Sequence, residues 1–223
     1  MDESAIFRTI HYFTTASVIL PLLFGMLYWR HLDRGMVILE WNLLLNLSVE
    51  LLGLFMALQQ MGNLWVYNLY SPIEVILVFL AFRIWNEHRI VRNAILYGIG
   101  AFIVFWAVIL LMQGNEQAVN IILTFESVLM VIFAVATLFS ALNKDQVPIL
   151  KNPAFWVSSA YLLYFAGNLF LFAMIKALFV LSEWKNAWIL HSLLNLVKNL
   201  LLLGGFLACR KNLSSSSAAP LSS

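Results

Sequence analysis

Glu50, Glu74, Glu126 and Lys198 are ionisable residues set inside long apolar runs, and His191 lies in the same run as Lys198. An ion facing hydrocarbon costs roughly 2.5–3.5 kcal/mol on insertion scales, so these groups are expected to face one another and not lipid. Successive residues of a helix turn by ~100°. That rotation places Asn42, Asn46, Glu50 and Gly53 in one quadrant of a helix, and Tyr67, Tyr70, Ser71 and Glu74 in one quadrant of the next. Ser158, Tyr161, Phe165 and Asn168 form a similar stripe, and His191, Asn195, Lys198 and Asn199 share one side of the last helix. The chemistry such groups offer is proton exchange and charge pairing with a small ligand. Catalysis is not indicated, because no nucleophile–base or metal-ligand spacing is recognisable. The chain has no H-E-x-x-H, and Asn195 stands one turn after His191, where a membrane metallohydrolase would want a second ligand. The expected ligand-binding set is Glu50, Tyr70, Glu74, Glu126, Asn168, His191, Asn195 and Lys198.

Asn42, Asn46, Ser158 and Asn168 also suit a plainer role as interhelical hydrogen-bonding groups, worth about 0.6 kcal/mol each. Gly53, Gly167, Gly204 and Gly205 read as close-packing positions, and His11 as an interfacial residue. For the three glutamates and Lys198 a site is the better reading, since packing alone would use less costly groups. Cys209 is the only cysteine, which excludes an internal disulfide; it reads as a small apolar residue whose place beside Arg210 would also suit lipidation.

The elements that must hold these residues follow from composition. Of 223 residues, 62% are hydrophobic and 11% charged, against roughly 25% charged in an ordinary soluble domain. The apolar residues fall into seven runs, most near the ~20 residues that cross a bilayer as helix. The expected spans are Ala5 to Trp29, Met36 to Gln60, Tyr67 to Trp85, Ala94 to Met112, Gln117 to Leu142, Ala154 to Ile175 and Trp184 to Cys209. Unbroken apolar runs of this length exclude barrel strands, which alternate over ~10 residues. The fold class is an all-α integral membrane protein, a seven-transmembrane-helix bundle over residues 1–211 with a disordered Ser-rich tail over 212–223. Met1-Asp2-Glu3-Ser4 lacks the basic region of a secretory signal, so the first run is expected to be a retained helix.

Near the helix ends, Arg30, Arg34, Arg83, Arg89, Arg92, Lys144, Lys151, Arg210 and Lys211 fall on one side, against Arg8, Lys176 and Lys185 on the other. Nine cations against three predict an N-terminus outside and a cytoplasmic C-terminus in an inner (plasma) membrane. Trp65, Trp184 and Trp188 on one side, and Trp29, Trp85 and Trp156 on the other, are expected interfacial anchors. In this frame His11, Glu74, Glu126 and His191 lie about two turns from the outer end, and Glu50 and Lys198 nearer the midplane. The expectation is a pocket opening outward with a Glu50–Lys198 pair at its floor. The net charge of +2 shows no basic patch for nucleic acid. The expected partners are membrane lipids, a small ligand and a cytoplasmic protein meeting the basic loops.

From Phe155-Trp156 through Phe172, and from Trp188-Ile189-Leu190-His191-Ser192 through Lys198-Asn199, the chain resembles uncharacterised bacterial seven-helix proteins related to membrane sensor modules. That resemblance implies a receptor-like sensor and no reaction. A transporter is the alternative: Glu50 to Gly53 echoes Tyr164 to Gly167, and Tyr70-Ser71 echoes His191-Ser192, as a three-plus-one-plus-three duplication would. Small sugar carriers of the SWEET type share this topology, but only Pro21 and Pro72 lie in the spans of the first half, where that family has paired proline motifs. Lys198 also looks like the retinal-bearing lysine of rhodopsins, with Glu74 as counter-ion. Leu194 stands where microbial rhodopsins often place an aspartate, and no cofactor is expected.

Overall fold

The computed structural model describes residues 3–144, 148–180 and 184–216, with side chains at 9–10, 12–114, 120–144, 148–171 and 189–209. The elements are α1 (Glu3–Ser17), α2 (Ile19–Leu27), α3 (Arg34–Leu58), α4 (Leu64–Trp85), α5 (Arg89–Leu142), α6 (Pro153–Val180) and α7 (Trp184–Ser216), with 3₁₀ turns at Trp29–His31 and Ile149–Lys151. No strand occurs among the described residues. Six helical segments are long and apolar enough to cross a membrane: Arg34–Leu58, Leu64–Trp85, Arg89–Gly114, Asn120–Leu142, Pro153–Leu171 and Ile189–Cys209.

The first expected span is broken. Pro21 has no N–H to give the Ser17 carbonyl, and its ring crowds that carbonyl. Thr14 and Ser17 turn their hydroxyls back onto the carbonyls of Ile10 and Thr14, at 2.8 and 2.6 Å. The helix stops at Ser17 and restarts at Ile19, leaving Tyr12–Leu27 as a shorter apolar stretch.

Gly114 divides α5 into two limbs, Arg89–Gly114 and Asn120–Leu142. Its φ of 71° lies in the left-handed region, which a residue without a Cβ enters without strain. The limbs run back along each other, with Phe125 packed on Phe105 and Phe102 at ring distances of 4.2 and 6.2 Å. Gly98 lies directly against Phe133.

From α2 onward, consecutive helices pack as antiparallel neighbours, and α7 closes the bundle onto α1 and α2. One end gathers Arg30, Arg34, Arg83, Arg89, Arg92, Lys144 and Lys151; the turns at Gln59–Asn63 and Gly114 lie at the other. At the arginine-rich end the turns are closely specified. Asp33 caps α3 by accepting from the Met36 N–H at 2.8 Å, and its second oxygen accepts from Trp85 Nε1 at 3.2 Å. Asn152 caps α6 through the Ala154 N–H, with Pro153 at the first helical position, where no donor is needed. Trp85 is therefore no lipid-facing anchor: it is 7% exposed and lies over Gly35. Trp29 and Trp65 are exposed, Trp156 is half-buried over Gly204, and the side chains of Trp184 and Trp188 lie outside the described residues.

The core runs along the bundle through Met36, Leu39, Phe79, Phe82, Phe102, Tyr161 and Phe206. The exterior is apolar too, with Val104, Leu111, Phe139, Leu163 and Phe170 each more than half exposed. A soluble protein rarely exposes so much apolar surface; a bilayer covers it. Helix α7 continues to Ser216, past Lys211, and residues 217–223 of the expected tail lie outside the described residues.

Candidate functional site

The polar stripes converge. From α4, Ser71 Oγ donates to Glu126 Oε2 on the second limb of α5 at 2.5 Å. From α3, Asn42 bridges two tyrosines: Tyr70 of α4 donates to its Oδ1 at 3.2 Å, and its Nδ2 donates to Tyr161 of α6 at 3.1 Å. Asn46, one turn further along α3, also faces the Tyr70 hydroxyl. Between α6 and α7, His191 Nδ1 donates to Asn168 Oδ1 at 2.8 Å, and the His191 and Tyr164 rings are 5.8 Å apart. Lys198 Nζ lies 4.3 Å from the centre of the Tyr164 ring, a cation–π arrangement.

The charged groups are coupled across four helices. Lys198 is 5% exposed, and Glu74, Glu50 and Glu126 all act electrostatically on it. Of the eight expected site residues, Tyr70, Glu126, Asn168 and Lys198 are buried and Glu50, Glu74, His191 and Asn195 half-buried. Among the described residues, no three His, Cys, Asp or Glu side chains gather closely enough to hold one metal ion.

The depths differ from the expected ones. Helix α4 begins at Leu64, three residues before the expected start, so Glu74 lies ~15 Å along it, near mid-height. Glu50 is eight residues from the end of α3 at Leu58, ~12 Å in from that end. Glu74 and Glu50 both act electrostatically on Lys198, and by these heights they lie at similar depth from that end. The His11 side chain lies outside the described residues.

Asn199, which shares the His191 stripe but not the expected ligand set, donates its Nδ2 to Ser17 Oγ at 2.8 Å, and Thr14 Oγ1 reaches the Ser192 carbonyl at 3.5 Å, so this edge of α7 fastens α1. The Oδ1 atoms of Asn195 and Asn199 are both buried without a hydrogen-bond partner, and that of Asn195 is an open acceptor on the stripe of the expected site. A buried acceptor left unmade costs about 1–3 kcal/mol, which a ligand donor would recover.

One acid escaped the sequence reading. Glu40, on α3 below Asn42, is 3% exposed, and neither carboxylate oxygen has a hydrogen-bond partner. Its signal in the sequence is a single acid inside an apolar run, without the polar companions at helical spacing that marked Glu50 and Glu74.

Compared with protein-family models, curated proteins and solved structures, the chain matches none. Fold and burial define the class by themselves: an all-helical protein, among the described residues, with six apolar, membrane-length helices and buried ionisable side chains at Glu40, Glu126 and Lys198.

Proposed function

We propose that the chain is a receptor-like sensing module of the cell membrane, which binds protons or a small cationic ligand at the Glu50–Glu74–Glu126–Lys198 layer without turning it over. The observation that carries this reading is the charge count of the layer: three carboxyls surround one ammonium on four helices. Fully ionised, the group would hold two uncompensated negative charges in a low-dielectric interior, and such groups are retained in membrane helices where they act. Two protons, or a cationic ligand carrying two positive charges, restore neutrality, and their arrival changes the attraction between α3, α4, α5 and α7. A shift in helix packing then alters the basic loops. In this reading α1 and α2 together make a seventh crossing, the N-terminus is outside, and the arginine-rich end faces the cytoplasm. A cytoplasmic protein partner reads that end.

Infrared difference spectra of the carboxylic stretch, followed through a pH titration, test the proposal. A titrating band in the wild type that is absent from Glu74→Gln supports it. Identical spectra, with unaltered activity in cells, leave Glu74 a packing residue and remove the sensor reading. For the orientation, a reporter joined after Lys211 is expected to behave as cytoplasmic, and a cysteine placed near Gly114 in a Cys209→Ser background to label from outside.

A proton-coupled transporter is the second reading, favoured by the mid-height position of the layer, where carriers place their sites. Solute-driven proton uptake into proteoliposomes, lost in Glu74→Gln, would select it over the sensor.

A further inference from the structure

The break between α1 and α2 releases a backbone acceptor. Pro21 has no N–H for the Ser17 carbonyl, and the next N–H along the chain, that of Leu22, goes to the Val18 carbonyl at 3.3 Å. Ser17 and Pro21 are both buried. Backbone polar groups freed inside an apolar helix are tolerated where neighbouring helices, side chains or water meet them, and the helix that packs on both α1 and α2 is α7. Two contacts fix it there, from Thr14 Oγ1 to the Ser192 carbonyl and from Asn199 Nδ2 to Ser17 Oγ. They bracket Asn195. At ~100° per residue, Ser192, Asn195 and Asn199 fall within ~60° of one another around α7, so the face that meets α1 carries both amides.

This face brings more acceptors. The Oδ1 atoms of Asn195 and Asn199 are buried and accept no hydrogen bond, while the hydroxyls that could donate are turned back on their own helix: Thr14 to the Ile10 carbonyl at 2.8 Å, Ser17 to the Thr14 carbonyl at 2.6 Å. Lys198, one residue before Asn199, is directed to α6 and lies 4.3 Å from the centre of the Tyr164 ring. The three oxygens therefore call for an electron-pair acceptor from outside the chain. Calcium-like ions are bound through carboxylates, and the described side chains that join α1 to α7 here include none. Neutral oxygens at a broken helix suit a singly charged ion, as unwound carbonyls do in membrane transporters. We propose that the break holds a monovalent alkali cation, coordinated by the Ser17 carbonyl and by Oδ1 of Asn195 and Asn199, with water completing its shell. Bound there, the ion fastens the junction of α1 and α2 to α7. The site draws Asn195 from the expected ligand set and none of the four charged residues of the sensing layer, so it stands or falls separately.

Thermal unfolding of the purified full chain in detergent, in sodium, potassium and choline chloride at equal ionic strength, reads the site. At least one metal salt is expected to raise the midpoint above that in choline by about 5 °C once well above its dissociation constant. Asn195→Ala removes an oxygen that has no partner within the folded chain and should abolish the shift. Pro21→Ala returns an N–H to the Ser17 carbonyl, should reduce the shift from the α1 side, and serves if Asn195→Ala does not fold. Exchange of metal for choline is expected to leave the infrared band of the layer in place, so neither result decides the other. Equal midpoints in all three salts, the mark of ordered water alone at these oxygens, or a shift that survives whole in either folded variant would overturn the proposal.

Discussion

Two acids of α3, ten residues apart, sit in opposite circumstances. Glu50 is half-buried among other charges, and the Asn42, Ser71, Tyr70 and Tyr161 side chains near it are bonded to one another or to Glu126. Glu40 is more deeply enclosed, yet its oxygens meet only a glycine backbone and apolar walls. Burial alone therefore does not describe a membrane acid; what decides its energetics is whether the surrounding helices were built around it. In the layer, the groups compensate one another and removing one harms the others. At Glu40 nothing compensates, and removing the acid relieves the protein.

The largest effect is expected from Lys198→Met, which strips the layer of its cation and leaves three carboxyls facing one another. Breaking a buried ionic set from one side costs about 3–5 kcal/mol, read as a lowered unfolding midpoint in detergent. Adding Glu74→Gln to that variant should restore part of the loss, and additive effects would show that the two residues are not coupled. Glu40→Met should act in the opposite direction: with an unpaired polar group removed, stability in lipid-free detergent should hold or rise by about 1–3 kcal/mol. A clear loss there would mean that Glu40 has a partner, and the contrast between the two acids would collapse. Asn42→Leu removes both bridging bonds while filling the space, and about 1 kcal/mol is expected from two bonds of the strength found between membrane helices. Ser17→Ala, which unties Asn199 from α1, should cost only about 0.6 kcal/mol and leave the infrared band of the layer in place. A shift of that band would tie Asn199 to the site.

Much of this was legible in the chain. Apolar runs separated by charged turns mark the helices, because the length needed to cross a bilayer is a property of composition. The inward stripes were legible for the same reason: the 100° step from Asn42 to Asn46 to Glu50, or from Tyr70 to Glu74, survives any small error in where a helix begins. Depth does not survive it. A three-residue change in the start of α4 moves Glu74 by ~4.5 Å, enough to bring it to a depth like that of Glu50. The break at Val18 was implicit in Pro21, but an apolar run looks continuous whether or not its backbone is. Asn199 was legible only as a member of the His191 stripe: it is one residue from Lys198, and a step of ~100° carries it to the α1 interface. Trp85 misled because its indole found Asp33 through a turn that only the tertiary structure brings close.

The bridge at Asn42 has a consequence of its own. Its amide accepts on one side and donates on the other, while the tyrosine hydroxyls that flank it can do either. The row Tyr70–Asn42–Tyr161 consequently has a direction, set by which way its hydrogens point, and half a turn of one amide reverses that direction along the whole row. Reversal asks for no helix to move and no bond to be given up. Three helices thus share a hydrogen-bonded arrow with two readings, and a change of charge in the layer beside it would favour one reading over the other before any backbone atom had shifted.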